Sequence, residues 1–251
     1  MQKEWDAPFK GWDFSYIRNR IREDKPPWKY EKLAKALLRK SDSVLDIGTG
    51  GGELFSSLGP FPKDTFATES YKPNVEVARK RLMNLGIGVF YTPRQKLPFE
   101  NESFGLVLNR HAAFDAEEVF RVLKPSGIFL TQQVGGENLT DLCKALRTKT
   151  KFGHWTLAKI KSQLTDAGFK IETARSWKGK TEYKDVGAIV YLIKAAPWSV
   201  PGFGIRKNIK DLERLQKRLD SGKKLEFTYS KYLIKARKLP DRDPGAGYGD
   251  A

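Results

Sequence analysis

The stretch Val44-Leu45-Asp46-Ile47-Gly48-Thr49-Gly50-Gly51-Gly52 has the residue types needed to hold a nucleotide. A short apolar run carries one carboxylate, Asp46, and breaks into glycines before a new apolar pattern opens at Glu53-Leu54-Phe55. This order reads as strand, glycine turn and helix. Glycine lets the backbone turn sharply and approach a ligand that a Cβ would exclude. The first N–H groups of the following helix have no partner within it. Asp46, Gly48, Thr49 and Gly50 are therefore candidate ligand-binding residues. A second carboxylate, Glu69, ends the segment 64–69, 21 positions after Gly48. A carboxylate only accepts hydrogen bonds and a ribose diol offers two donors, so Glu69, with Ser70 beside it, suits a nucleotide sugar. A dinucleotide turn, G-x-G-x-x-G, needs a third glycine at position 53. Glu53 stands there, and the spacing is instead G-x-G-x-G.

These residues need elements to carry them. Residues 44–47, 64–69 and 87–91 read as strands one to three. Residues 72–85 have helical spacing, with Val75, Ala78, Leu82 and Leu85 on one face, and Gly86 closes that helix. Strands alternating with amphipathic helices imply a parallel sheet covered on both faces. Further on, 155–167 reads as a helix closed by Gly168. Residues 169–177 and 186–195 read as two strands joined by a polar loop, 178–185. A helix is expected over 209–219 and a short strand over 227–235. No run reaches the roughly 18 apolar residues of a membrane span, and the N-terminus lacks the apolar core of a signal peptide. The single cysteine, Cys143, excludes an internal disulfide and falls on an apolar helix face. One Cys and two His do not make a metal-ligand cluster, so no metal is expected. A cytoplasmic location follows.

Two later blocks sharpen the nucleotide reading. One is Leu97-Pro98-Phe99-Glu100-Asn101-Glu102-Ser103-Phe104-Gly105; the other is Glu118-Val119-Phe120-Arg121-Val122-Leu123-Lys124-Pro125-Ser126-Gly127. With the glycine turn and Glu69, they resemble the ordered motifs of the class I S-adenosylmethionine-dependent methyltransferases. The resemblance is to the subgroup that includes the ubiquinone and menaquinone C-methyltransferases. It is strong over residues 41–135 and weaker over 154–196.

The resemblance implies a Rossmann-like α/β fold: a seven-stranded, mostly parallel sheet with helices on both faces, an antiparallel C-terminal edge hairpin and an N-terminal helical cap. It implies S-adenosylmethionine as cofactor and S-adenosylhomocysteine as product. Asp46 matches the acid near the methionine amino group. Three departures stand out. The acid expected before Leu97 is missing, leaving Arg94, Gln95 and Lys96 on the adenine side; Gly105 replaces an Asp; and the Pro-Gly-Gly turn reads Pro125-Ser126-Gly127. Open α/β sheets place ligands at strand C-termini. Asn109 and Arg110 are accordingly candidate cofactor contacts, and Gln132 and Gln133 candidate acceptor contacts. His111 is a candidate general base, because imidazole titrates near neutrality. Arg110 could alternatively hold a substrate carboxylate or phosphate.

The chain of 251 residues carries a net charge of +16, unevenly placed. Residues 1–40 carry +5, residues 41–137 carry −2 and residues 138–251 carry +13. The implied organisation is an aromatic cap (1–40), a cofactor-binding domain (41–196), a basic extension packed on it (197–239) and a disordered tail (240–251). In the cap, Tyr16 and Trp28 are candidate lid residues over the acceptor, where an aromatic face would attract a sulfonium. The apolar turn 197–203 is expected near the acceptor pocket. The expected reaction is methyl transfer to a small molecule at O, N or C. An RNA methyltransferase using the basic C-terminal half, and a cofactor-binding protein without activity, are the alternatives. The sequence leaves monomer and homodimer open.

Overall fold

The computed structural model describes residues 1–9 and 12–240. The expected tail, 240–251, therefore lies outside the described residues apart from Pro240.

Eight strands form one sheet: β1 (Ile21–Glu23), β2 (Ser43–Ile47), β3 (Asp64–Glu69), β4 (Gly88–Tyr91), β5 (Phe104–Arg110), β6 (Leu123–Val134), β7 (Phe169–Tyr183) and β8 (Leu225–Lys238). Their order across the sheet is β1-β7-β8-β6-β5-β2-β3-β4. From β6 to β4 all pairs are parallel; β8 runs antiparallel between β6 and β7, and β1 antiparallel to β7. The chain reverses direction across the sheet between β2 and β5, which opens a crevice at their C-terminal ends.

Nine α-helices complete the described fold: α1 (Gln2–Asp6), α2 (Tyr30–Leu38), α3 (Glu53–Ser56), α4 (Lys72–Leu82), α5 (Ala116–Val122), α6 (Thr140–Ala145), α7 (Leu157–Asp166), α8 (Val186–Ala195) and α9 (Ile209–Asp220). One sheet face packs Val44, Leu106 and Leu108 with Ala34 and Leu38 of α2 and Val75 and Ala78 of α4. The other packs Leu45, Val107 and Phe129 with Val119 of α5 and Ile160 of α7. A third cluster joins the cap to α6, α8 and α9 through Ile17, Cys143, Ile189 and Leu212.

Three expectations change. The sheet has eight strands, because β1 of the cap adds an edge. Residues 186–195 form α8, a helix, and the polar segment before it continues β7 through Tyr183. A continuous apolar run carries no period, so burial on all sides suits helix and strand alike. Here Asp185 decides, its side chain accepting from Ala188 N as an N-cap at 2.9 Å. Residues 197–239 are no appended extension, since β8 lies inside the sheet, paired with β6 and β7. No described helix is long and apolar enough to cross a membrane.

Candidate active site

The glycine turn is docked onto the tip of β3. Thr68 O accepts from Gly48 N and Thr49 N, both at 2.9 Å. The Glu69 carboxylate accepts from Gly50 N at 2.7 Å and Tyr71 N at 2.8 Å. Gly48, at φ +72°, lies so close to Ala112 that a Cβ there would come within 2.1 Å of the Ala112 Cβ. Arg81 of α4 fixes the outside of the turn, bonding Gly51 O at 3.1 Å and Glu53 at 2.7 Å.

The crevice inside this turn has unmet polar needs. Asp46 is 8% exposed and forms no ion pair among the described residues. Burial first, and then the Glu69 charge, push its carboxyl up to about 7. The Thr49 hydroxyl faces the Asp46 carboxyl, and the buried hydroxyl of Thr68 and the Nε of Arg110 have no hydrogen-bond partner among the described residues. A ligand with a cationic group beside Asp46, a polar partner for the Thr68 hydroxyl and an acceptor for the Arg110 N–H would meet these needs. Glu69 keeps lone pairs for a diol despite its two backbone bonds. Ser70, Arg94, Gln95 and Lys96 are exposed around the β3 and β4 tips. Thr92 N, anchored to Glu69 O at 2.9 Å, holds that loop beside the crevice.

Asn109 is different. Its buried amide donates to Ile47 O at 3.0 Å and Ala112 O at 3.2 Å, and its oxygen accepts from Thr131 at 2.8 Å. It braces the turn after β5 and has no donor left for a ligand. Gln133 joins that brace, donating to Ala112 O and Thr131 Oγ1, both at 2.9 Å.

Beside the crevice, toward β6 and β8, opens a cavity of about 480 Å³, within the range of small-molecule sites. Trp12 and Phe14 of the cap wall it, with Ala196, Trp198 and Ser199 of the turn after α8. Trp12 and Trp198 stack with centroids 5.9 Å apart and planes 7° from parallel. Glu23, His111, Gln133, Tyr229 and Tyr232 contribute the polar wall. Tyr16 is not a wall residue; it is 39% exposed and packs on Tyr191, centroids 4.7 Å apart. Trp28 is buried, and its indole N–H donates to Gln132 Oε1 at 2.8 Å. Gln132 Nε2 in turn lies 3.1 Å from His111 Nε2. Sequence spacing missed Trp12, Glu23 and Tyr229 as wall residues, whereas Trp198 lies in the apolar turn 197–203 expected near the acceptor pocket. Among the described residues no group of three His, Cys, Asp or Glu could hold a metal.

Leu97-Pro98-Phe99 interlocks with α5. Glu118 accepts from Leu97 N at 2.7 Å, while Arg121 donates to Leu97 O at 3.0 Å and Phe99 O at 2.7 Å.

Comparison with known proteins agrees with this geometry. Residues 45–131 match the methyltransferase domain family Methyltransf_11. The chain is 29% identical over 147 residues to a protein-L-isoaspartate O-methyltransferase of Alcanivorax borkumensis, a match covering 54% of this chain and 64% of that one. It is 34% identical over 115 residues to the ubiquinone/menaquinone biosynthesis C-methyltransferase UbiE of Neisseria meningitidis, covering 41% and 47%. The chain thus spans between about half and two thirds of the length of these curated relatives. Among solved structures, a candidate methyltransferase from Bacillus halodurans C-125 superposes with a TM-score of 0.63 at 21% identity, covering 84% of this chain and 99% of that one. YcgJ of Bacillus subtilis gives 0.59 at 18% identity, covering 84% and 98%. These two share the fold.

Proposed function

We propose that this chain, which carries a class I S-adenosylmethionine-dependent methyltransferase domain, transfers the methyl group to a small molecule bound in the cavity beneath Trp12 and Trp198. The observation that carries this reading is adjacency. The unmet polar groups around Asp46 and the aromatic cavity share one wall, the turn Arg110-His111-Ala112 at the C-terminal end of β5.

The cofactor brings a methyl group on a sulfonium, an electrophile that needs only an aligned nucleophile. Asp46 would hold its amino group, Glu69 its ribose hydroxyls and the 94–96 loop its adenine edge. What the protein adds is positioning and exclusion of water. The stacked tryptophans roof the cavity, and the Gly48–Ala112 contact sets how closely the two sites approach. RNA remains the competing acceptor class on charge alone. Some C-terminal cations are paired, including Lys235 with Glu172 and Lys178 with Glu137, and in the sequence the basic residues alternate with Asp and Glu rather than forming a continuous block.

Calorimetry should show S-adenosylmethionine binding weakened at least about tenfold, a loss of about 1.4 kcal/mol, in Glu69→Ala and Asp46→Ala. Unchanged affinity would remove the cofactor assignment. Tritiated-methyl transfer into the small-molecule fraction of a cell extract, and not into RNA or protein, would support the acceptor class. Label in the RNA fraction would overturn it.

A further inference from the structure

The polar end of the cavity sets one carboxylate, Glu23, among groups that can donate, His111, Tyr229 and Tyr232. The chain of bonds Trp28–Gln132–His111 sets one of them. An indole N–H can only donate, so the atom of Gln132 that meets Trp28 is its oxygen, and the atom that meets His111 is its amide nitrogen. Gln132 therefore donates to His111 Nε2, which must be the unprotonated ring nitrogen. The ring proton then sits on Nδ1, which has no hydrogen-bond partner among the described residues. His111 has φ +58°, a conformation costly for a residue with a Cβ, and its own N–H is held by Gln132 O at 2.9 Å.

Two cations share the face of the sheet on which Gln132 lies. Arg110 pairs with Gln132 across β5 and β6, and Lys231 of β8 pairs with Val134 two residues on. Lys231 is 8% exposed and has no carboxylate within 4.0 Å among the described residues. Its ammonium lies 4.5 Å from the centre of the Tyr229 ring, and Tyr229 lines the cavity. The Arg110 Nε is buried without a partner. Neither cation is itself a wall residue; they stand behind the Tyr229 and His111 wall, and the Glu23 carboxylate of that wall faces both without an ion-pair contact. Burial pushes the Glu23 carboxyl up toward its neutral form, so two buried cations beside a donor-locked imidazole have one weakened carboxylate to answer them and remain costly without a ligand.

We propose that this end of the cavity binds an anionic oxygen group of the acceptor, a carboxylate or a phosphate, through the Lys231 ammonium, the Arg110 guanidinium and the Nδ1–H of His111. The proposal rests on the small-molecule reading above and narrows it to an acid with an aromatic or apolar body. It also gives His111 the role of donor in place of general base. To take a proton at Nε2 the ring would have to displace the Gln132 donor, beside two positive charges. Burial first, then Arg110 and Lys231, hold its pKa well below the usual imidazole value.

The test uses benzoate, phenyl phosphate and the neutral benzamide as probes of the full chain, with and without S-adenosylmethionine, read by calorimetry. Benzoate or phenyl phosphate should bind at least about tenfold more tightly than benzamide; whichever is preferred tells carboxylate from phosphate. Lys231→Met should abolish that preference and Lys231→Arg restore part of it, with cofactor affinity unchanged in both. Equal binding of benzamide and both anions would overturn the anion site while leaving the methyltransferase reading intact. Failure to bind S-adenosylmethionine would instead overturn that reading. A second measurement needs no variant. The chain has two histidines, so ring nitrogen NMR can assign His111. It should show the Nδ1–H tautomer and shift on adding the preferred anion. An Nε2–H tautomer, or a ring unmoved by either anion, would overturn the proposal.

Discussion

The two halves of the site are built in opposite ways. The cofactor crevice comes from one contiguous turn, residues 46–52, clamped to the tip of the neighbouring strand by backbone bonds to Thr68 O and the Glu69 carboxylate. The proposed acceptor end draws on Trp12, Trp28, His111, Gln132 and Trp198, which come together only because the cap and the turn after α8 fold over the sheet. The crevice depends on backbone shape, so it tolerates few substitutions and keeps its spacing. The acceptor end depends on side chains from separate elements, so each can change without altering the fold. One fold can therefore serve many acceptors.

If that contrast is right, the largest single effect belongs to the turn. Gly48→Ala forces a Cβ into Ala112 at a positive φ, which should cost about 4 kcal/mol in denaturant unfolding and remove cofactor binding. A mild, well-folded variant would mean that the turn is less tightly docked than its contacts indicate.

Next comes pH. The folded Asp46 carboxyl, at about 7, lies above its unfolded value near 3.9. The folded state then holds the proton more tightly, and this stabilisation is present at low pH and lost as pH rises through 7. His111, held neutral in the fold, gives the opposite slope below about 6.5. The comparison with Asp46→Asn isolates the Asp46 part. Without cofactor, wild type should lose about 3 kcal/mol relative to that variant between pH 5 and pH 8. A constant difference across that range would show that Asp46 is ionised throughout.

At the acceptor end, Trp28→Phe keeps the aromatic packing and removes the donor that orients Gln132. The expected result is kcat/KM lowered by about tenfold, a changed His111 ring signal and unaltered S-adenosylmethionine affinity. A fall in cofactor affinity instead would erase the boundary drawn between the two halves. The smallest effect lies away from both. Ser126 adopts φ +66° in the first part of β6, where the pairing with β5 shifts register between Leu123 and Ile128; Ser126→Gly should stabilise the chain by about 1 kcal/mol in thermal unfolding, with no change in either binding site.

Most of the crevice could be read from the chain because its parts lie close in sequence and use special residue types. Gly48, Gly50 and Gly52 all take positive φ, at +72°, +65° and +78°. The Leu97-Pro98-Phe99 block and the Glu118…Arg121 pair were legible as separate motifs, though their hydrogen-bonded interlock was not. Tyr16 and Trp28 both read as aromatic lid residues. Position in the cap alone says nothing about direction: Tyr16 stays partly exposed and covers the buried Tyr191, and Trp28 points inward to Gln132.

By itself, the sequence determined the parallel sheet, the glycine turn and the two carboxylates, Asp46 and Glu69, that flank it. Each of these is a local pattern whose geometry follows from neighbouring residues. Only the tertiary structure decided that 186–195 is a helix, that β8 enters the sheet, that Asn109 braces a turn rather than offering a donor, and that Lys231 is buried beside Arg110. Those outcomes depend on which surfaces meet across long stretches of chain. An apolar run or a single lysine carries no record of its partner until packing supplies one.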